Sequence, residues 1–352
     1  MKKSQDRPRA SYRKPTMNDV ARLAEVGVMT VSRVLNGTSK VSDATRARVE
    51  RAIKQLNYSP NELARAFRGQ RSHTIGLILP CLYDPFFATC AHAVITVARE
   101  HNYSVILTTS NEDPETELAA AKNMLQRCVE GIVVIPTYDR SARLTRAPFG
   151  KTPVVAFDRP AADASLDTVL VQNAVGARRM TEHLIEHGHK RIAFLGTNRS
   201  LFTINSRFLG YRRALQDAGL KENAFFSGDC EAPMREAVTA MLRGANAPTA
   251  ILTSNTLATR YVLGAITHLG IHVPGDLALA GFDDFQLAEF TAPPLTVVRQ
   301  PITEMGRVAT NLLFDRIARE ETPQTGSRIV LPVEIVLRRS CGCKHRSPVV
   351  MQ

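Results

Sequence analysis

No apolar run in the sequence approaches the roughly 20 residues that a membrane-spanning helix needs, so no membrane partner is expected. The opening stretch MKKSQDRPRASYRKP is basic but lacks an apolar core, which excludes a secretory signal. Cysteine is sparse: Cys81, Cys90, Cys128, Cys230, Cys341 and Cys343, mostly set singly. That pattern suits reduced thiols better than a disulfide framework. Together these absences point to a cytoplasmic protein.

The motifs of common enzymes are missing too. No G-x-G-x-x-G follows the first strand-like run, TIGLILP, which argues against a dinucleotide cofactor. Gly150-Lys151-Thr152 resembles the end of a phosphate loop, but Thr145 stands where that loop requires glycine, and Pro153 follows. Cys341, Cys343 and His345 offer thiolates and an imidazole. One short cluster is not a complete tetrahedral site, so no metal is assigned. No Ser/His/Asp or Cys/His set has a distinctive spacing. The reading is therefore no catalysis and no cofactor, against the alternative of an α/β enzyme fused to another module.

What is present is a charge imbalance. Hydrophobic residues make up 44% and charged residues 22% of the 352, the balance of a soluble globular protein with room for two or three domains. Residues 1–73 carry 16 Lys and Arg against 6 Asp and Glu, whereas the remainder is nearly neutral at 29 against 27. Basic charge confined to one fifth of a chain marks a polyanion-binding module.

Inside that module, Thr16 and Asp19 have capping-box spacing and predict a helix over about Met17–Glu25 with Val20, Ala21 and Ala24 inward. A second run, Val28–Asn36, pairs Val31 with Leu35 inside and leaves Met29, Ser32, Arg33 and Asn36 on the outer stripe. Ser42 caps a third helix in which Val49, Ile53 and Leu56 recur. Two short helices joined by a tight turn make a helix-turn-helix, whose second helix presents its first side chains to base edges. A small bundle without a DNA role is the bland alternative. Beyond it, Pro60 restricts Ser59, and Asn61 can cap a short helix ending at Gly69.

From His73 onward, apolar strand runs (TIGLILP, YSVILTTS, GIVVIP) alternate with helical periods. A second series opens with TVLVQN and continues through RIAFLG, AILTSN and LALAGFD. This alternation implies parallel sheets covered on both faces, and the number of strands favours two sheets. Ligands bind such sheets beyond the strands' carboxyl ends. Those ends carry Asp84, Phe86, Phe87, Asp158 and Arg159 in the first series, and Thr203, Arg207, Asn255 and Asp283 in the second. An aromatic platform with Asp, Asn and Arg suits a polyhydroxylated small molecule. For each residue a helix cap or structural salt bridge is the alternative.

The stretch from Thr16 to Pro80, with DVA, TVSRVLNG, VSDATRARV, LNYSPNELA and the strand that follows, resembles the lactose/galactose repressor (LacI/GalR) family from end to end. The resemblance implies an N-terminal all-α helix-turn-helix DNA-binding domain plus an α/β two-lobed effector domain like type I periplasmic binding proteins. It implies a homodimer on palindromic double-stranded operator DNA, controlled by a sugar-like small-molecule effector. A corepressor-type response to a nucleobase or other metabolite stays open. The implied layout is a basic tail (1–15), the helix-turn-helix domain (16–58), a hinge helix (59–72), the two-lobed ligand-binding and dimerisation domain (73–341) and a tail (342–352). The lobes would be 74–170 plus 301–329, and 171–300 plus 330–341.

Residue by residue, Val28 and Met29 fall where relatives choose the operator. Arg33 is suited to bidentate contact with guanine, while Thr30, Ser32, Asn36 and Asn61 support DNA contact. Phe67 stands where relatives insert a Leu wedge into the minor groove, unless it packs on the body. Family sugar and purine sites coincide most clearly with Arg207 and Asp283. Two departures stand out. The usual AGVS turn is Ala24-Glu25-Val26-Gly27 here, so Glu25 must tolerate whatever backbone strain glycine relieves. The usual Asn-Asp after a lobe-two strand is Asn255-Thr256. With a carboxylate missing and Arg159, Arg199 and Arg207 nearby, an anionic or phosphorylated sugar joins the candidates.

Overall fold

The capping box forms as its spacing requires. Thr16 Oγ1 accepts from the Asp19 N–H (3.4 Å), and Asp19 Oδ2 accepts from the Thr16 N–H (2.9 Å), opening α1 (Met17–Leu23). The chain bends through Ala24–Gly27, with the Val26 N–H on the Ala21 carbonyl (3.0 Å) and Glu25 in the left-handed region at φ 52°. This is the αL helix stop that glycine normally takes, here costing about 1 kcal/mol. The Gly27 carbonyl accepts from the Thr30 N–H (2.8 Å) and starts α2 (Val28–Leu35). Ser42 caps α3 (Asp43–Leu56).

Val20, Ala21, Ala24, Val31, Val34, Val49 and Ala52 form the core of this unit. Two expectations are corrected. The first helix stops at Leu23, because the turn claims the next residues. The α2 seam is Val31 and Val34, with Leu35 only half-buried. Spacings of three and four both lie on one helical face, and α2 settles on the first. Ile53 and Leu56 likewise sit at the core's margin.

The structure is a computed structural model and describes residues 15–35, 41–58, 71–137, 145, 147–228, 230–319, 325–343 and 349–351. Asn36, Asn61, Phe67 and His345 lie outside the described residues. The chain divides into two compact units, after Ser72.

The second unit begins with β1 (Thr74–Leu79), α4 (Pro85–Glu100), β2 (Ser104–Thr109), α5 (Pro114–Gln126), β3 (Ile132–Val134), β4 (Val154–Phe157) and β5 (Asp167–Val171). It continues with α6 (Asn173–Glu186), β6 (Ile192–Gly196), α7 (Phe202–Asp217), β7 (Ala224–Phe226), α8 (Glu231–Arg243), β8 (Ala250–Thr253), α9 (Thr256–His268) and β9 (Ala278–Phe282). It ends with β10 (Thr296–Arg299), α10 (Ile302–Arg319), β11 (Arg328–Leu331), β12 (Glu334–Leu337) and β13 (Val349–Met351).

Two sheets result, ordered β11-β5-β4-β3-β1-β2 and β13-β12-β10-β9-β8-β6-β7. Pairing is parallel except for β10–β12 and β12–β13. Strands such as β4, β6 and β8 are buried along their whole length, as sheets covered on both faces demand. The chain crosses between lobes three times, at Gln172, at Gln300-Pro301 and at Pro332-Val333. TVLVQN, expected to open the second series, instead supplies β5 of the first sheet. The last crossover falls beyond the expected 329/330 boundary, because β11 pairs with β5 through Leu331. The segment after 341 is not wholly a tail: Cys343 is buried, and β13 extends the second sheet.

Candidate functional site

On α2 the outward side is chemically mixed. Met29 is 70% exposed and Val28 41% exposed, an unusual solvent presentation for two apolar side chains on one short helix. Arg33 is exposed one turn beyond Met29, while Thr30 and Ser32 are half-buried beside them. A short helix with apolar groups in its first turn and a guanidinium in its last, all exposed, can touch thymine methyls and guanine edges.

In the second unit, strand ends from both lobes converge. Asp158 follows β4 and Asp283 follows β9, and both adopt left-handed backbone (φ 64° and 78°). Each keeps its N–H on the neighbouring strand, Asp158 to the Val169 carbonyl and Asp283 to the Val298 carbonyl, both 2.9 Å. The two lobes thus repeat one device, a strained turn that aims a carboxylate off the end of the sheet.

Arg207, buried on α7, ties these parts together. Its Nε donates to Asn173 Oδ1 (2.7 Å) and its Nη1 to the Ser254 carbonyl (2.7 Å), with Asp283 Oδ2 at 3.4 Å. Gly210, one turn on, makes the first bond possible. A Cβ there would stand 2.0 Å from the Ala174 carbonyl oxygen, so only glycine lets α7 approach the start of α6 this closely. Gln300 Nε2 donates to Asp283 Oδ1 (2.5 Å). Asn173 and Gln300 both lie at interlobe crossovers, so the buried Arg207–Asp283 pair is hydrogen-bonded to two of the three hinges.

The electrostatics also cross between lobes. Burial raises the Asp84 carboxyl above its ordinary range and the Asp283 charge adds to the rise, while the Phe86 N–H, Arg260 and Arg207 pull it back. Burial pushes Asp158 up to about 6, opposed by Arg159 and Arg207 and reinforced by Asp283. The Cys90 thiol, raised well above its usual value first by burial, also feels Asp158, Asp283 and Asp84. The charges of all three carboxyls are thus felt at the one thiol. Among the described residues, Asp158 Oδ1, Ser254 Oγ and Gln300 Oε1 are buried without a hydrogen-bond partner.

Other candidates serve the fold. Arg159 gives Nη1 and Nη2 to Glu112 (2.7 and 2.8 Å) and also reaches the Pro136 carbonyl. Arg199 stacks on Phe208, 4.5 Å from the ring centroid. Neither presents a charge for an anionic ligand. Asp84 also caps α4, through the Phe86 N–H on its Oδ1 (2.9 Å). Asn255 caps α9 through the Ala258 N–H, its Nδ2 directed at Thr197. Phe86 and Phe87 pack edge to face in the core, and Thr203 is buried in the first turn of α7. Sequence reasoning missed Asn173, Ser254 and Gln300. Their signal was position alone, at strand ends and crossovers.

A helix-turn-helix unit followed in the same chain by a two-lobed α/β unit is the architecture of a DNA-binding regulator. Residues 16–61 match the bacterial regulatory proteins of the lacI family, and residues 181–341 match the periplasmic binding protein-like domain. The chain is 31% identical over 329 residues to the HTH-type transcriptional repressor PurR of Mannheimia succiniciproducens, covering 92% of this chain and 98% of that protein. It is 33% identical over 317 residues to the ribose operon repressor of Escherichia coli K12, covering 88% and 95%. Among solved structures, the Lac repressor dimer bound to operator and the anti-inducer ONPF superposes with TM-score 0.83 at 27% identity, over 94% of this chain and 99% of that one. A CelR–cellobiose complex superposes with TM-score 0.68 at 31% identity, over 93% and 99%. The chain belongs to the lacI family of bacterial regulatory proteins and is a DNA-binding transcriptional regulator.

Proposed function

We propose that this regulator is a cytoplasmic, homodimeric repressor that reads a near-palindromic operator through α2 and releases or grips it in response to a neutral polyhydroxylated molecule held between the lobes. The observation that carries this reading is the buried Arg207–Asp283 pair, hydrogen-bonded to Asn173 and Gln300, together with the unpartnered buried oxygens of Asp158, Ser254 and Gln300. Carboxylate oxygens accept hydrogen bonds from ligand hydroxyls, and hydroxyls that both donate and accept suit Ser254 and Gln300. The anionic-sugar candidate loses its support. Arg159 is bound to Glu112, Arg199 lies on aromatic rings, and three carboxylates would repel an anion.

The ligand effect would run through the hinges. Hydroxyls that compete for Asp283 or Arg207 change what Gln300 and Asn173 bind, and these residues sit where the chain crosses between lobes. Differential affinity for two lobe arrangements is then the whole signal. The relatives named for ribose and cellobiose support a sugar, whereas the PurR relatives support a purine-type corepressor. One titration separates these readings. An operator selected from random duplexes is bound by the full-length protein, and its anisotropy is followed with free sugars, sugar phosphates and nucleobases. A response to a free sugar alone is expected. A response confined to a nucleobase or a phosphorylated sugar overturns the proposal.

A further inference from the structure

A second cluster lies ten residues along α6 from Asn173, about 15 Å away along the helix axis. His183 on α6 is buried against Cys341 and Cys343, which follow β12. Their three donor atoms lie within 4.8 Å of one another. Between the cysteines Gly342 takes φ +79°, a left-handed turn that brings both thiols to one side. His183 Nε2 stands 3.4 Å from Cys341 Sγ, and the two sulfurs are 2.8 Å apart. Both thiols are directed at the Arg338 carbonyl, at 3.8 and 3.5 Å. His187 Nδ1 contacts the His183 carbonyl (2.8 Å). A cavity of about 500 Å³ lined by His187, His189, Pro274, Ala278, Cys341 and Gly342 reaches the cluster.

We propose that Cys341, Cys343 and His183 form a binding site for a thiophilic divalent ion, Zn²⁺ in particular, separate from the interlobe site and independent of it. Two sulfurs and an imidazole nitrogen are the donor set that zinc selects. In tetrahedral zinc geometry, bond lengths near 2.3 and 2.0–2.1 Å set sulfur and nitrogen about 3.6 Å apart and two sulfurs about 3.8 Å apart. The first separation is nearly present, and the second needs the sulfurs to part by about 1 Å. A disulfide would instead need them to close to about 2.05 Å. The cavity opens onto Cys341 and so supplies an entry path. Each bound thiol gives its proton to solvent as the ion takes its place, so binding strengthens as pH rises. The ion would fasten the segment after β12 to α6.

The test uses the full-length, reduced and chelator-stripped protein, titrated with Co²⁺ under anaerobic conditions. One equivalent should bind with sulfur-to-cobalt charge-transfer absorption and tetrahedral visible bands, both erased by Zn²⁺. Cys341→Ser and Cys343→Ser should each weaken binding and cut the charge-transfer intensity per cobalt by about half or more, whereas Cys230→Ser, at an exposed cysteine elsewhere, should leave both unchanged. Losing an outer-shell partner alone weakens metal sites by about 10–100-fold, so His183→Asn should weaken binding at least that much. Wild-type protein gives a check that no folding defect disturbs: Zn²⁺ should shield two thiols from a thiol reagent, and chelator should restore them. A wild-type protein without charge-transfer bands overturns the proposal. So do bands of undiminished intensity and affinity in Cys341→Ser, or a Cys341–Cys343 disulfide as the stable form in reducing buffer.

Discussion

The guanidinium carbon of Arg207 lies 3.7 Å from the centroid of the Phe282 ring, the residue next to its ion-pair partner Asp283. Stacking, the pair with Asp283 and two further hydrogen bonds fix this side chain in one orientation. A desolvated cation over an aromatic face contributes about 2 kcal/mol. Replacing Arg207 by Ala strands a buried carboxylate and should cost about 3–5 kcal/mol of stability. Arg207→Lys keeps the charge and loses the planar fork. The lysine variant should therefore fold and bind operator, yet lose its response to effector. Thermal melts alongside operator titrations check this, and a wild-type effector response in the lysine variant would remove Arg207 from the site.

Asp158 gives the effector response a pH signature. Its carboxyl is pushed up to about 6 by burial, so it is mostly ionised at pH 7.5 and mostly protonated at pH 5. A hydroxyl that donates to the carboxylate favours the ionised form, so ligand binding expels a proton below pH 6. Affinity should fall several-fold between pH 7 and pH 5 in the wild type and stay nearly flat in Asp158→Asn. Calorimetry in two buffers of different ionisation heat measures the proton directly. Equal proton release by both proteins would rule Asp158 out as the ligand's acceptor.

Glu117 gives stability a pH signature away from the site. It is 1% exposed, its Oε2 accepts from the Thr137 N–H (2.6 Å), and burial pushes its pKa from 4.5 to about 7. A folded-state value above the unfolded one means that the folded protein holds the proton more tightly. This contribution is present below about pH 4.5 and is lost as pH rises through about 7. Glu117→Gln stays neutral and can still accept from Thr137. It should match the wild type near pH 4.5 and exceed it at pH 8 by on the order of 1–3 kcal/mol. Melting curves at the two values decide, and an unchanged difference between them would show that Glu117 does not titrate in this window.

The helices of the first unit and the alternating body were legible because capping residues and apolar periods are local signals. Thr16 with Asp19, and Ser42, act where their spacing put them. Membership of a sheet is not local: TVLVQN reads the same in either lobe, and only pairing with β4 and β11 assigns it. Arg207 and Asp283 were candidates because chemistry-bearing residues stood at strand ends, and the structure pairs them. Arg159 and Asn255 stood there too, and Glu112 and the α9 N-terminus claimed them. Asn173 and Gln300 lack a charge that would single them out, so their roles emerge only with the crossovers in place. The metal-type cluster was half visible. Cys341 and Cys343 are neighbours in sequence, but His183 reaches them across 158 positions.

Glu25 sits in the left-handed region and is exposed, so its strain is not offset by burial. Glu25→Gly should stabilise the first unit by about 0.5–1 kcal/mol, the relief of αL strain exceeding the extra freedom of the unfolded glycine. Amide exchange in α1 to α3 of the full chain should slow, with protection in the second unit unchanged. Faster exchange in α1 and α2 would mean that the Glu25 side chain holds the turn.

Met29 and Arg33 stand four residues apart on α2, both turned to solvent, while Val31 and Val34 anchor the opposite side. We propose that this exposed stripe enters the major groove and that Arg33 reads guanine with two parallel hydrogen bonds. A bidentate contact of that kind discriminates against other bases by about 1–3 kcal/mol, whereas a phosphate contact weakens binding to all sequences alike. Arg33→Ala should therefore lose roughly 5- to 150-fold on a selected operator and far less on scrambled duplex at the same salt. Met29→Ala should instead alter which base is preferred at one position of each half-site, because a thioether carries shape but no charge. Anisotropy titrations of both duplexes at two salt concentrations separate these roles. If Arg33→Ala lowers both affinities by one factor and reduces the salt slope by about one, Arg33 grips the backbone, and sequence is read elsewhere on α2.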